Sequence, residues 1–186
     1  MRADARRNYE RLVETARDAF AERGTEASLE DIAKAAGVGI GTLYRHFPTR
    51  QALLREVLRE GMLAIRGKGE ELLLTSSSPE ETLAEWLRAL ICHTAAYRGL
   101  AGEIIGGLRD ESSELAETCG VMETTMAEIL ARAQESGAVK PEVTPEDLLK
   151  VVSALAWLSE QGEGDSERLF GIMFDGLLRG AVPSRG

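Results

Sequence analysis

The sequence predicts an all-α protein of about nine helices. Apolar residues recur at three- and four-residue spacing along almost every stretch, and no run alternates strictly enough for a half-buried strand. Serine and threonine caps, prolines at first helical positions and glycines at helix ends cut that pattern into segments. The 186 residues suffice for one ordinary domain, or for a small domain joined to a larger one.

The first helix is expected over residues 2–23, where Leu12, Ala16 and Phe20 recur every four residues with Val13 and Ala19 beside them. Gly24 follows as a C-terminal cap. Ser28 then opens a short helix as N-cap, with Asp31 placed to favour the helix's positive end and Leu29, Ile32, Ala33 and Ala36 facing inward. A second short helix ends near Phe47, and Thr49 caps a long one carrying Leu54, Val57, Leu58, Met62 and Ile65 to about residue 74. Residues 75–78 form a polar break, and Ser78-Pro79-Glu80-Glu81 reads as a capping box opening a helix to about residue 98. Gly99, Gly102, Gly106 and Gly107 predict a short or kinked helix over 100–108. Another long helix is expected from 111 to about 136, interrupted at Gly120. Thr144 and Pro145 open the next, and the last two, about 145–161 and 165–180, form an αα-hairpin around Gly162 and Gly164.

Composition excludes several classes of function. No apolar run approaches the roughly 18 residues that span a bilayer, and the positive start of the chain has no apolar core behind it, so neither a membrane protein nor a secretory signal is expected; the cytoplasm is the expected location. Cys92 and Cys119 form no C-x-x-C pair and have no histidine cluster nearby, so no metal or other cofactor is implied. Cys92 and His93 are neighbours on a helix and point about 100° apart, which rules them out as a nucleophile and base. The acidic residues sit mostly on solvated helix faces, so an enzyme is not expected.

Charge is unevenly distributed. Residues 1–60 hold eleven Lys and Arg against ten Asp and Glu, a net +1, whereas the remaining 126 hold eleven against twenty-one, a net −10. The overall −9 therefore belongs to the C-terminal two-thirds, and the first third is the part suited to meet a polyanion.

Residues 28–47, SLEDIAKAAGVGIGTLYRHF, have helix-turn-helix spacing. Ala33 is small where the helices cross, Gly37 can adopt the left-handed conformation of the turn, and Val38 and Leu43 fill the corner. That leaves Gly39, Ile40, Gly41, Thr42, Tyr44 and His46 for the outside. The same spacing also suits a tight corner inside any helical protein. A tyrosine, a histidine and an arginine beside glycines make a poor core, however, and can donate several hydrogen bonds to phosphates.

From about residue 8 to 58 the chain closely resembles the tetracycline-repressor (TetR/AcrR) family of bacterial regulators, through "AFAERG", "IAKAAGV" and "GTLYRHFPTRQALL" in that order without a gap. Gly39 departs from the serine or other polar residue often found there. The resemblance implies a DNA-binding helix-turn-helix domain over 1–50 and a helical ligand-binding and dimerisation domain over 51–186. It implies a recognition helix from about Gly39 to His46 in the major groove of double-stranded DNA, with two copies of the domain on a roughly palindromic operator. Base contacts are then expected from Ile40, Gly41 and Thr42, and phosphate contacts from Ser28, Thr42, Tyr44, His46 and Arg50.

A repressor of this kind needs a second site, and a small apolar or amphipathic effector is expected there. Trp86, Leu90, His93, Tyr97, Ile105, Leu108, Met122, Met126 and Trp157 are candidates for its lining, although each also suits an ordinary core. The last two helices carry apolar residues on more than one face, so one face can pack internally while another meets a second copy. Val151, Leu155, Leu158, Phe170, Met173, Phe174 and Leu177 are the expected homodimer contacts. A helical interaction or scaffold module without DNA binding is the alternative; it leaves the surface from Gly39 to Arg50 unexplained.

Overall fold

The computed structural model of the chain describes residues 2–107, 116–162 and 165–178. Among the described residues there are nine α-helices: α1 (Arg2–Arg23), α2 (Leu29–Ala35), α3 (Ile40–His46), α4 (Arg50–Thr75), α5 (Pro79–Ala95), α6 (Leu100–Gly107), α7 (Ala116–Glu135), α8 (Pro145–Glu160) and α9 (Ser166–Leu177). The protein is all-α; the one β element described is an isolated antiparallel bridge between Val139 and Leu178.

The helix boundaries follow from side-chain chemistry. Ser28, Thr49, Ser78 and Thr144 each accept the backbone N–H three residues on, at Asp31, Ala52, Glu81 and Asp147, satisfying a donor the first turn leaves without a partner. Each such cap contributes about 1 kcal/mol. The reciprocal capping box expected at Ser78 is formed instead at Thr144, whose backbone N–H donates to Asp147 Oδ2 at 3.1 Å. Gly24 ends α1 at φ +85°.

Three boundaries differ from expectation. Helix α5 stops at Ala95, because the chain turns through Gly99 at φ +89° into α6. Helix α7 runs through Gly120 without interruption; a single glycine costs a helix only about 1 kcal/mol. Helix α9 stops at Leu177, where Lys140 N donates to the Leu177 carbonyl at 3.0 Å and the chain enters the bridge.

Helices α1, α2 and α3 form a small head, in which α1 packs on α2 and on the start of α4. Leu12, Phe20, Ile32, Leu43 and Leu53 are fully buried there, each worth about 1.5–3 kcal/mol. Helix α4 continues into the body against α5 and α7, while α8 packs on α5, α6, α7 and α9. The head is thus mounted on one long helix whose far half belongs to the body.

Candidate nucleic-acid interface

The corner between α2 and α3 has the geometry its sequence predicts. Gly37 takes φ +66°, its N–H reaches the Lys34 carbonyl at 3.0 Å and Val38 N reaches the Ala33 carbonyl at 3.0 Å. Ala33 and Leu43 are buried at the crossing. Arg11 on α1 adds a tie that sequence reasoning did not find: its Nη2 donates to the Ala36 carbonyl at 2.6 Å, placing a cation at the negative end of α2. Another is Tyr9, whose ring lies 5.0 Å from Phe47 and 6.0 Å, edge-on, from His46. Burial and then a hydrogen bond to Glu56 push its hydroxyl up to about 12. Tyr9 stands three residues before Leu12, so the apolar stripe of the first helix, extended back by one turn, was the available signal.

The outward side of α3 is open. Gly39, Gly41, Tyr44 and Arg45 are exposed, with Tyr44 at 49%. Ile40, Thr42 and His46 are half-buried, and Leu43 and Phe47 point into the core. Gly39 caps α3 in an extended conformation without any side-chain bond. A Cβ at Gly39 or Gly41 would meet nothing within 4 Å. The protein's own packing therefore does not require glycine at either position, unlike Gly24 or Gly37, where a positive φ does.

Two other expected contacts have work inside the protein. Ser28, half-buried, holds the first turn of α2 through Asp31 N at 3.3 Å. Arg50, the first residue of α4, directs Nη1 to the carbonyls of Thr25 at 2.8 Å and Ala27 at 2.6 Å. That nitrogen braces the loop between α1 and α2 from the first residue of α4.

The candidate effector residues divide as well. Trp86, Leu90, Met122 and Met126 are buried in the body, and Trp86 Nε1 donates to the Ile65 carbonyl of α4 at 3.0 Å. His93 and Tyr97 are half-buried with rings 6.0 Å apart, and burial holds the imidazole below its usual range. Trp157 does not join them. Val152, Leu155 and Ala156 turn one face of α8 inward, and the next position lies about 100° away, leaving Trp157 52% exposed. Leu108 lies outside the described residues, as does the side chain of Ile105.

The expected dimer set needs a similar correction. Phe170 and Phe174 are stacked at 5.5 Å inside the protomer, with the Arg88 guanidinium 4.4 Å over Phe170, and Leu155 is buried too. Val151, Leu158, Met173 and Leu177 are half-buried, and the large apolar residues that stand out from α8 and α9 are Trp157 and Ile172, the latter 59% exposed. No helix of the described residues is long and apolar enough to cross a membrane, and no group of three metal-ligating side chains occurs among them.

Known proteins place this geometry in a family. The model for bacterial regulatory proteins of the tetR family matches residues 12–57, and that for the C-terminal domain of SbtR-like transcriptional regulators matches residues 78–179. The chain is 28% identical over 154 residues to the HTH-type transcriptional repressor KstR2 of Mycolicibacterium smegmatis, covering 80% of this chain and 75% of that one. It is 34% identical to a TetR transcription regulatory protein from Mycobacterium vanbaalenii of known crystal structure, with a TM-score of 0.55 over 96% of this chain and 99% of the other. A TetR transcriptional regulator from Streptomyces coelicolor superposes with a TM-score of 0.62 at 27% identity, covering 93% and 99% of the two chains. The chain accordingly belongs to the TetR family of bacterial regulatory proteins, a family of transcriptional regulators rather than enzymes, and carries that family's helix-turn-helix.

Proposed function

We propose that the protein is a homodimeric repressor that grips a roughly palindromic operator through α3 and leaves it when a small apolar or amphipathic effector enters the body. The observation that carries this reading is the open side of α3: two glycines with free space beside them, flanked by Thr42, Tyr44 and Arg45. Glycines that the fold does not need give the closest approach to a partner from outside, and a helix of two turns with that surface fits a major groove. In this reading Ile40, Gly41 and Thr42 meet base edges. Ser28, Thr42, Tyr44 and His46 hold phosphates, joined by Arg45, while Arg50 holds the loop that carries Ser28.

Repression is supported by the name of the Mycolicibacterium smegmatis relative. Pairing through α8 and α9 is supported by the exposed Trp157 and Ile172 beside Val151, Leu158, Met173 and Leu177. The effector is supported by two buried polar atoms in the body, His93 Nε2 and Thr94 Oγ1, which have no hydrogen-bond partner among the described residues. A ligand with an apolar frame and one or two polar groups would satisfy them.

The test is a gel shift with the duplex upstream of the chain's own coding sequence, with and without cell extract. Selective retardation that the extract relieves supports the reading. Equal retardation of a scrambled duplex contradicts it.

A further inference from the structure

Two charged residues stand at the wrong ends of their helices. Arg50 is the first residue of α4, where the helix dipole repels a cation, and Glu160 is the last of α8, where it repels an anion. Glu160 also leaves Oε1 buried without a partner among the described residues, a further cost. Neither helix gains from these placements, and the two meet along one hydrogen-bonded path.

Glu160 Oε2 accepts the N–H of Gly99 at 2.9 Å. The carbonyl of that same peptide group, at Arg98, accepts the N–H of Thr25 at 2.9 Å. The Thr25 carbonyl in turn accepts Arg50 Nη1, which also holds Ala27, the residue before the α2 cap Ser28. A carboxylate on one end of an amide polarises it and strengthens the bond at the other end. The junction is close-packed: a Cβ at Gly24 would lie 2.9 Å from the Arg98 carbonyl oxygen, and one at Gly99 would lie 2.7 Å from Thr25 Oγ1. Both glycines also have positive φ, and Thr25 is buried.

We propose that the turn between α5 and α6 is a strut that sets the reading head's orientation on the body, with Glu160 as a positioning residue for DNA binding. It joins body to head alongside the continuous helix α4 and ends on Arg50 at that helix's start. Because α6 begins at Leu100 and α8 carries Trp157 one turn before Glu160, displacement of either helix shifts the loop that holds Ser28 and the start of α4. This deepens the regulator reading and rests on it for its purpose, but the mechanical claim is tested without DNA.

The experiment is amide hydrogen exchange on the full-length chain, comparing wild type with Glu160→Ala, Glu160→Gln and Glu167→Ala, the last breaking an exposed ion pair with Arg88 elsewhere on the body. Glu160→Ala is expected to speed exchange at Thr25 as well as at Gly99, by about fivefold or more at each. Glu160→Gln, which keeps an acceptor oxygen and so the fold, gives an intermediate increase at both, and Glu167→Ala none. Faster exchange at Gly99 with Thr25 unchanged in the Gln variant overturns the strut. A wild-type chain that ignores its upstream duplex contradicts the regulator reading instead and leaves the exchange result standing.

Discussion

The imidazole of His93 on α5 occupies the space a side chain at Gly61 of α4 would need: a Cβ there would lie 2.1 Å from His93 Cε1, 2.8 Å from Nδ1 and 2.9 Å from Nε2. The helix that carries the head is therefore keyed to the body by one ring lodged against its backbone. Three ring atoms conflict at once, so the whole imidazole must leave before Gly61 can carry a methyl group. Alanine gains up to about 1 kcal/mol over glycine in a helix, whereas overpacking costs about 1–3 kcal/mol, so the clash decides the sign. Gly61→Ala should destabilise the protein by about 1 kcal/mol, and the same change made in a His93→Ala background should stabilise it. Urea unfolding of the four proteins checks this; a stabilising Gly61→Ala in the wild-type background contradicts it.

The same burial makes stability depend on pH. His93 is held below its ordinary value of 6.5, so just below that pH the unfolded chain binds a proton the folded chain does not. Stability then rises with pH through that window. The contribution of neutral His93 is fully present above about pH 6.5 and is lost as pH falls towards the folded value. Thermal melts between pH 5 and 7.5 should show a steeper decline on acidification for wild type than for His93→Gln. Parallel curves would show that the ring titrates normally.

Pairing should be separable from folding. Trp157→Asp and Ile172→Asp change exposed positions on α8 and α9 and should give folded monomers by light scattering at micromolar concentration. Phe170→Ala removes a core ring instead and should cost about 3–5 kcal/mol of stability. A Trp157→Asp dimer as stable as wild type would move the interface elsewhere.

Much of this was legible in the residues. The corner at Gly37 follows from local chemistry, because only glycine enters φ +66° freely, and the caps at Ser28, Thr49 and Thr144 are local hydrogen bonds of three-residue span. What sequence could not supply was phase and distance. Trp157 and Leu155 lie two residues apart on one apolar helix, yet one faces out and the other in. Which way α8 turns is decided by α5, α6, α7 and α9 together. Arg50 looked like a free cation because its partners, Thr25 and Ala27, are 25 and 23 residues away. Gly61, which admits His93, reads no differently in sequence from Gly67, which has open space beside it.

The candidate DNA contacts should differ in their salt dependence. Tyr44→Phe removes one hydroxyl and should weaken binding to all duplexes alike. Arg45→Ala should lower the slope of log affinity against log salt by about one. Arg50→Ala should weaken binding with the slope unchanged, since it acts by releasing the loop at Thr25 and Ala27. Anisotropy titrations at four salt concentrations distinguish the three.

Gly41 tests the central claim most directly, because the fold leaves open space beside it. Gly41→Ala should raise stability by about 0.5–1 kcal/mol through helix propensity. Measured by anisotropy against the upstream duplex, the same variant should bind at least about tenfold more weakly than wild type, an added methyl group keeping the helix out of the groove. Unchanged affinity in a correctly folded Gly41→Ala protein would mean that α3 does not approach DNA through this face.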